Sequence, residues 1–152
     1  MAKERPKKKS NIKAATSEEK AVEVKGTLSV KPLADNFTVY VPIATVSEAN
    51  TFEHWTDKHR RHKKQKERTH LMLPAQKYPL PCSINLTRIS PRNLDGDNLV
   101  SSMKHIRDAV AEKIHPGLAP GRADDDPLIT WNYSQEKGQP KQQGVRISFI
   151  WS

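Results

Sequence analysis

Residues 95–114 read DGDNLVSSMKHIRDAVAEKI, and this stretch decides the fold. Its apolar residues recur every three or four positions, which places them along one stripe of an amphipathic helix. The stripe consists of Leu99, Met103, Ile106, Val110 and Ile114. Asp97 stands where a helix N-cap is expected, and the His-Pro-Gly sequence at 115–117 ends the helix. The sequence therefore predicts one helix over 98–114 with a single apolar face.

The segments around this helix carry strand patterns and one further helix. Apolar and polar residues alternate from Cys82, which is typical of a half-buried strand. The predicted strands cover 37–43, 82–89, 128–134 and 145–151, and a second helix is predicted over 48–70 with Ser47 as its N-cap. Pro42 places the first strand at a sheet edge or ends it there. The order strand, helix, strand, helix, strand, strand predicts a small α/β (α+β) domain with a mixed sheet and two main helices.

Composition divides the chain into an arm and a domain. The 152 residues include 26 Lys and Arg against 17 Asp and Glu, for a net charge of +9. Residues 1–34 are basic and lack aromatic residues, so we expect a disordered N-terminal arm there and a folded domain over 35–152. No apolar run reaches the length of a membrane helix, and no secretory signal is evident. The single cysteine, Cys82, excludes an internal disulfide and fits the cytoplasm.

A basic block lies within the predicted domain. Residues 58–68 hold seven Lys and Arg and one acidic residue, and on a helix they cover most of the circumference. Such a surface favours a polyanion, most commonly a nucleic-acid backbone, although an ordinary solvated helix face is the simpler alternative. His59 and His62 have the spacing for a shared metal ion, but the surrounding cations disfavour zinc there. Phosphate contact or solvation is the expected role of these histidines.

The acidic residues concentrate elsewhere. Asp95 and Asp97 lie two residues apart before the predicted helix, and residues 124–126 add three more aspartates before the next strand. Because the helix returns the chain across the sheet, the two groups could meet and form an all-oxygen site that suits Mg²⁺ or Mn²⁺. Such a metal would support phosphodiester cleavage. Simpler roles remain open, since Asp97 could only cap its helix and 124–126 could only form a turn.

Several short motifs resemble the RusA family of crossover junction (Holliday junction) endodeoxyribonucleases, and its phage and prophage members above all. The motifs are LTRI at 86–89, DGDNL at 95–99, KHIRD at 104–108, DDP at 125–127 and ITW at 129–131. SEAN at 47–50 and HW at 54–55 are also similar to that group. The resemblance covers about residues 37–151, and 86–133 is its specific part.

The resemblance implies a Mg²⁺-dependent endonuclease, with Mn²⁺ as an alternative metal, that acts as a homodimer on four-way or related branched DNA. It assigns metal binding and catalysis to Asp95, Asp97 and one residue of 124–126, for which we favour Asp125. The family has a functional lysine where this chain has Ser101, and Lys104 is our substitute for it.

The predicted DNA-backbone contacts are Lys58, Arg60, Arg61, Lys63, Lys64 and Arg88. The resemblance implies no membrane and no small-molecule cofactor, and a bacterial host cytoplasm if the protein is phage-encoded. Two other functions stay open. One is a non-catalytic basic nucleic-acid-binding protein of phage replication or recombination, and the other is an interaction protein with a lapsed active site.

Overall fold

The computed structural model describes residues 36–49, 51–119 and 121–151, so the predicted arm lies outside the described residues. Its elements follow in the order β1 (Asn36–Val41), α1 (Trp55–Met72), β2 (Cys82–Ser90), α2 (Gly96–Ser102), α3 (Lys104–Ile114), a 3₁₀ turn (Ala123–Asp125), β3 (Ile129–Lys137) and β4 (Gly144–Trp151). This confirms the predicted α+β class. Within the described residues, none of the helices has the length and apolar character needed to cross a membrane.

The four strands form one mixed sheet in the order β1-β4-β2-β3. β4 is antiparallel to both β1 and β2, whereas β3 runs parallel to β2, with Cys82 beside Ile129 and Ser90 beside Lys137. A parallel pair needs a crossover connection, which α2 and α3 supply. β1 is an edge strand and ends at Val41, immediately before Pro42, as the sequence predicted.

The core lies between one face of the sheet and the helices. Alternate residues of the strands share that face because side chains alternate along a strand. The buried strand residues include Val41, Ile84, Leu86, Val145, Ile147 and Phe149, and the helices contribute Leu99, Met103, Ile106 and Val110. The predicted apolar stripe therefore packs on the sheet, with Ile114 partly buried at its end.

The predicted helix 98–114 is divided in two at Met103. Its backbone (φ −95°, ψ −5°) ends α2 and precedes α3, and its N–H donates to the carbonyl of Val100 at 3.1 Å. Just before the break, the hydroxyls of Ser101 and Ser102 donate to carbonyls three residues earlier, at 3.1 and 2.7 Å. Such bonds compete with the main-chain ladder of a helix and favour a break.

The first helix begins later than predicted. α1 starts at Trp55, and His54 is its N-cap, with a side chain that accepts a hydrogen bond from the N–H of Thr56. The prediction of Ser47 as N-cap was wrong. The hydroxyl of Ser47 instead donates to the side chain of Asn98, which joins the segment before α1 to α2.

Candidate functional site

The carboxylates of Asp95 and Asp97 lie at the start of α2, in exposed positions after β2. Because α2 begins at Gly96, Asp95 is the N-cap and Asp97 lies in the first turn, so the prediction of Asp97 as N-cap was wrong. The Asp95 side chain makes no capping hydrogen bond. It accepts one from the amide of Asn98, whose oxygen accepts the hydroxyl of Ser47. A capping role therefore does not account for the Asp95 carboxylate.

Asp95 and Asp97 also differ from the other acidic residues in their electrostatic surroundings. Every other Asp and Glu among the described residues has a carboxylate oxygen within 4.0 Å of a Lys, Arg or His nitrogen. These two have no such partner in the same part of the chain. In a protein with a net charge of +9, two adjacent exposed carboxylates without a basic neighbour are suited to a cation from outside.

The three aspartates before β3 are held to different degrees. Asp124 Oδ2 lies 3.1 Å from Arg107 Nη2, and Asp126 Oδ2 lies 2.5 Å from His115 Nε2. Asp125 Oδ1 is 3.7 Å from Arg107 Nη2, and its side chain is 76% exposed. Asp125, the residue favoured in the sequence analysis, therefore has the longest ion-pair distance of the three and the most exposed side chain.

Both acidic segments are attached to the same face of β3. The backbone of Leu94 exchanges two hydrogen bonds with the Gln135 side chain, at 2.9 and 2.6 Å. The indole N–H of Trp131 donates to the carbonyl of Asp124 at 3.0 Å. Residues 131 and 135 share a face because they are four apart, which separates them by about 13 Å along the strand.

The three predicted metal ligands are thus on one side of the sheet, but they do not form a compact ligand group. Among the described residues, one set of three His, Cys, Asp or Glu side chains has its ligand atoms all within 4.8 Å of one another, and it is Glu48, His62 and His105. A shared ion between Asp95, Asp97 and Asp125 stays a prediction.

Two of the predicted DNA contacts on α1 form ion pairs with the segment before the helix. The side chain of Arg61 is only 16% exposed, and its guanidinium lies 2.5 Å from Glu48 Oε1 and 2.8 Å from Glu53 Oε2. Lys58 Nζ lies 3.3 Å from Glu48 Oε2. These bonds fix the start of α1 against the loop, so they occupy charges that the sequence analysis assigned to DNA.

The other three predicted contacts on α1 are exposed. Arg60 Nη1 lies 3.0 Å from Asp57, one turn away, and Lys63 Nζ lies 3.8 Å from Glu67. Exposed pairs of this kind contribute about 0–1 kcal/mol, so a phosphate can replace them. Lys64 has no acidic partner within 4.0 Å in the described part of the chain. This geometry leaves Arg60, Lys63 and Lys64 available to a polyanion.

Arg88 is placed differently from the expectation. It lies in β2 and is only 5% exposed. Its Nε donates to the hydroxyl of Thr45 at 2.9 Å, Nη2 donates to the Thr45 carbonyl at 3.3 Å, and Nη1 donates to the carbonyl of Arg92 at 2.6 Å. Burial lowers its pKa. Because Thr45 and the Arg92 carbonyl already occupy the guanidinium, the structure leaves it without an unoccupied nitrogen for a DNA backbone.

The last predicted residue, Lys104, lines a cleft of about 630 Å³ between α1 and α3. It is exposed and begins α3 just after the break at Met103. His62 and Lys66 of α1 line the same cleft. Lys104 therefore faces α1 across this cleft.

His62 and His105, which line this cleft, form a cluster with Glu48 that sequence reasoning missed. Glu48 Oε1 lies 3.1 Å from His62 Nε2, and the two imidazole rings stack with centroids 3.6 Å apart. Although burial raises the pKa of Glu48, hydrogen bonds and charges from Arg61 and His62 outweigh it and hold that pKa at about 2. Burial, followed by the charge of His62, lowers the pKa of His105 to about 4. At neutral pH the Glu48 carboxylate is thus anionic and the His105 imidazole is neutral.

Next to this cluster, Asp108 Oδ2 lies 3.8 Å from His105 Nδ1. Burial raises the pKa of Asp108. Perturbed titratable groups gathered beside a cleft are common features of functional sites. The cluster joins three separate segments of the chain, so the sequence held no local spacing that could have indicated it.

Comparison with known proteins does not identify a family. No protein-family model matches the chain. No curated protein matches it either. The resemblance to the RusA family therefore rests on the short motifs described above.

Proposed function

We propose that this protein is a divalent-metal-dependent endonuclease that cuts branched DNA, with four-way junctions as its substrate class. The observation that carries the proposal is the pair Asp95 and Asp97. Among the described residues they are the two acidic side chains that lack a basic partner, and they are two residues apart at an exposed turn. Within the described part of the chain, neither carboxylate pairs with a basic side chain or makes a capping hydrogen bond, and Asp95 accepts one hydrogen bond from the Asn98 amide.

The pair fits Mg²⁺ by its chemistry. Mg²⁺ prefers oxygen ligands, and in phosphate enzymes it is commonly held by one or two carboxylates together with waters and substrate phosphates. Asp95 and Asp97 would hold it. Asp125, the most exposed of the three aspartates before β3, would complete the set if its loop moved toward the pair, since the points that attach the two segments to β3 are about 13 Å apart. When bound, the metal would activate water and offset the charge that develops on the phosphate. Mn²⁺ suits the same ligands.

The rest of the site would bind and orient DNA. Arg60, Lys63 and Lys64 are exposed on α1 and would contact the backbone, where each neutralised phosphate releases counterions. Lys104 lies at the start of α3, a few residues after the aspartate pair, and would bind the phosphate next to the cut. A second copy of the chain would allow symmetric cuts in a four-way junction, as the resemblance implies.

The test is cleavage of a labelled four-way junction by the purified full chain, with Mg²⁺ or with EDTA. We expect products in Mg²⁺ alone. Asp97→Asn should abolish cleavage while junction binding stays equal or tightens, because a charge that repels phosphate is removed. Glu136→Gln, which changes an exposed carboxylate that pairs with Arg146 outside the proposed site, is the matched control and should cut at the parental rate.

The outcomes separate the alternatives. Junction binding that depends on salt but gives no products, with or without Mg²⁺, would identify a non-catalytic DNA-binding protein. Cleavage by Asp97→Asn at the parental rate would refute the site assignment. An absence of both binding and cleavage would leave no support for a nucleic-acid function.

A further inference from the structure

We propose that Glu48, His62 and His105 form a site for a transition-metal dication of the Zn²⁺ class. One ligand atom from each residue lies within 4.8 Å of the other two. The three residues come from the segment before α1, from α1 and from α3. The site is distinct from the aspartate pair at the start of α2, and it does not depend on nuclease activity.

The ligand types and spacing suit zinc. Zn²⁺ takes imidazole nitrogen and carboxylate oxygen at about 2.0–2.2 Å in tetrahedral sites, which puts two ligand atoms about 3.3 Å apart. Glu48 Oε1 and His62 Nε2 are 3.1 Å apart, close to that spacing. The ring of His105 stacks on His62 at 3.6 Å with an angle of 29° between the planes. Binding would open this stack so that both rings point a nitrogen at the ion.

The site is largely shielded from solvent but remains accessible to an ion and to water. The side chains of Glu48, His62 and His105 are 18%, 20% and 18% exposed. His62 and His105 also line the cleft between α1 and α3, so a water molecule has access to a fourth position. Asp108 Oδ2, 3.8 Å from His105 Nδ1, can orient that ring, as carboxylates beside metal-bound histidines commonly do.

The nearby cations do not prevent binding. Lys66 pairs with Glu112 at 2.9 Å, and Lys104 is exposed to solvent. Arg61 contacts Glu48, but its Nε and Nη2 also donate to Glu53 at 3.0 and 2.8 Å, and that pair is retained. Lys58 reaches Glu48 with a side chain that is 43% exposed and can turn into solvent. The Glu48 carboxylate is then free to share one oxygen with the ion.

Such an ion would link α1 to α3 through His62 and His105. Its ligands are far apart in sequence, so the unfolded chain would bind it weakly. A ligand that binds the native state alone stabilises that state by mass action. We therefore expect Zn²⁺ to raise the temperature of thermal unfolding of the full chain.

The experiment measures Zn²⁺ binding by equilibrium dialysis, and Co²⁺ binding by visible absorption, on the metal-stripped full chain. We expect one ion per chain and tetrahedral Co²⁺ bands. His62→Ala and His105→Gln should weaken binding far more than tenfold, and Asp108→Asn, which keeps all three ligands, should weaken it by about tenfold. His54→Asn is the matched control, because His54 is exposed and does not line the cleft, and asparagine is a favoured N-cap residue; this variant should bind as the parent does.

Circular dichroism of each variant establishes that it is folded, and Glu48→Gln is the second ligand variant if His105→Gln does not fold. Equal binding by parent, His62→Ala and Glu48→Gln would overturn the site. Loss of binding in His54→Asn alone, or no binding by the parent, would also overturn it. Asp97→Asn should retain Zn²⁺ binding, which separates this site from the proposed Mg²⁺ site.

Discussion

Arg88→Ala tests whether this arginine stabilises the fold or contacts DNA. The guanidinium is buried and donates three hydrogen bonds, two to Thr45 and one to the carbonyl of Arg92. A hydrogen bond to a charged group contributes about 1.5–3 kcal/mol, so three could contribute well above 4 kcal/mol together. Removing Arg88 also removes the cost of burying its charge, and water can enter the space that alanine leaves. Because these two effects offset part of the free energy lost with the hydrogen bonds, we expect a net destabilisation of about 2–4 kcal/mol.

The assay is equilibrium unfolding in urea, with Arg60→Ala as control. The Arg60 side chain is 79% exposed, so its removal should change the free energy of unfolding by no more than about 0.5 kcal/mol. A lower midpoint at unchanged slope shows a loss of stability. The structural role is refuted if the free energy of unfolding of Arg88→Ala lies within about 0.5 kcal/mol of the parent's while its junction binding depends less steeply on salt. That result would show that Arg88 contacts DNA.

Two further predictions concern acid sensitivity and DNA binding. The pKa of His105 is lowered to about 4, because burial disfavours its protonated form, and that of Glu48 is lowered to about 2, so protonation of either group on acidification destabilises the fold. For His105 the loss spans pH 6.5 to about 4, and for Glu48 it spans pH 4.5 to about 2. When the free energy of unfolding is measured against pH, His105→Gln should remove the slope between pH 6.5 and about 4, and Glu48→Gln should remove the slope between pH 4.5 and about 2. A variant that loses the slope in the other range would contradict the assignment. Lys64→Ala should reduce the slope of log K against log salt for junction binding by about one, whereas a slope equal to the parent's would remove Lys64 from the interface.

Features of the fold that depend on local periodicity could be predicted from the sequence. The alternation from Cys82 predicted β2, and the stripe from Leu99 to Val110 predicted the buried face that α2 and α3 share, because a buried face repeats its apolar residues with the period of the backbone. The break at Met103 could not be predicted in this way. It coincides with hydroxyl-to-carbonyl bonds of Ser101 and Ser102, and serine is compatible with either an intact or a broken helix.

The basic block shows a second limit. Seven cations in eleven residues indicated a surface for a polyanion, but Arg61 is only 16% exposed and pairs with Glu48 and Glu53, which lie 13 and 8 residues before it in the chain. Pairs three or four residues apart, such as Lys63 with Glu67, can be read from a sequence. Pairs made by tertiary contact cannot, so charge density alone overestimated the free cationic surface.

The residues that carry the resemblance are connected in space, although they belong to separate motifs. Arg88 holds the segment before α1 through Thr45, and Ser47 in that segment donates to Asn98. The amide of Asn98 in turn donates to the carboxylate of Asp95. Two sets of hydrogen bonds, joined by the backbone of residues 45–47, thus connect the C-terminal part of β2 to Asp95. A turn that only reversed the chain would need no such support, whereas a carboxylate that must hold a metal in a fixed position would.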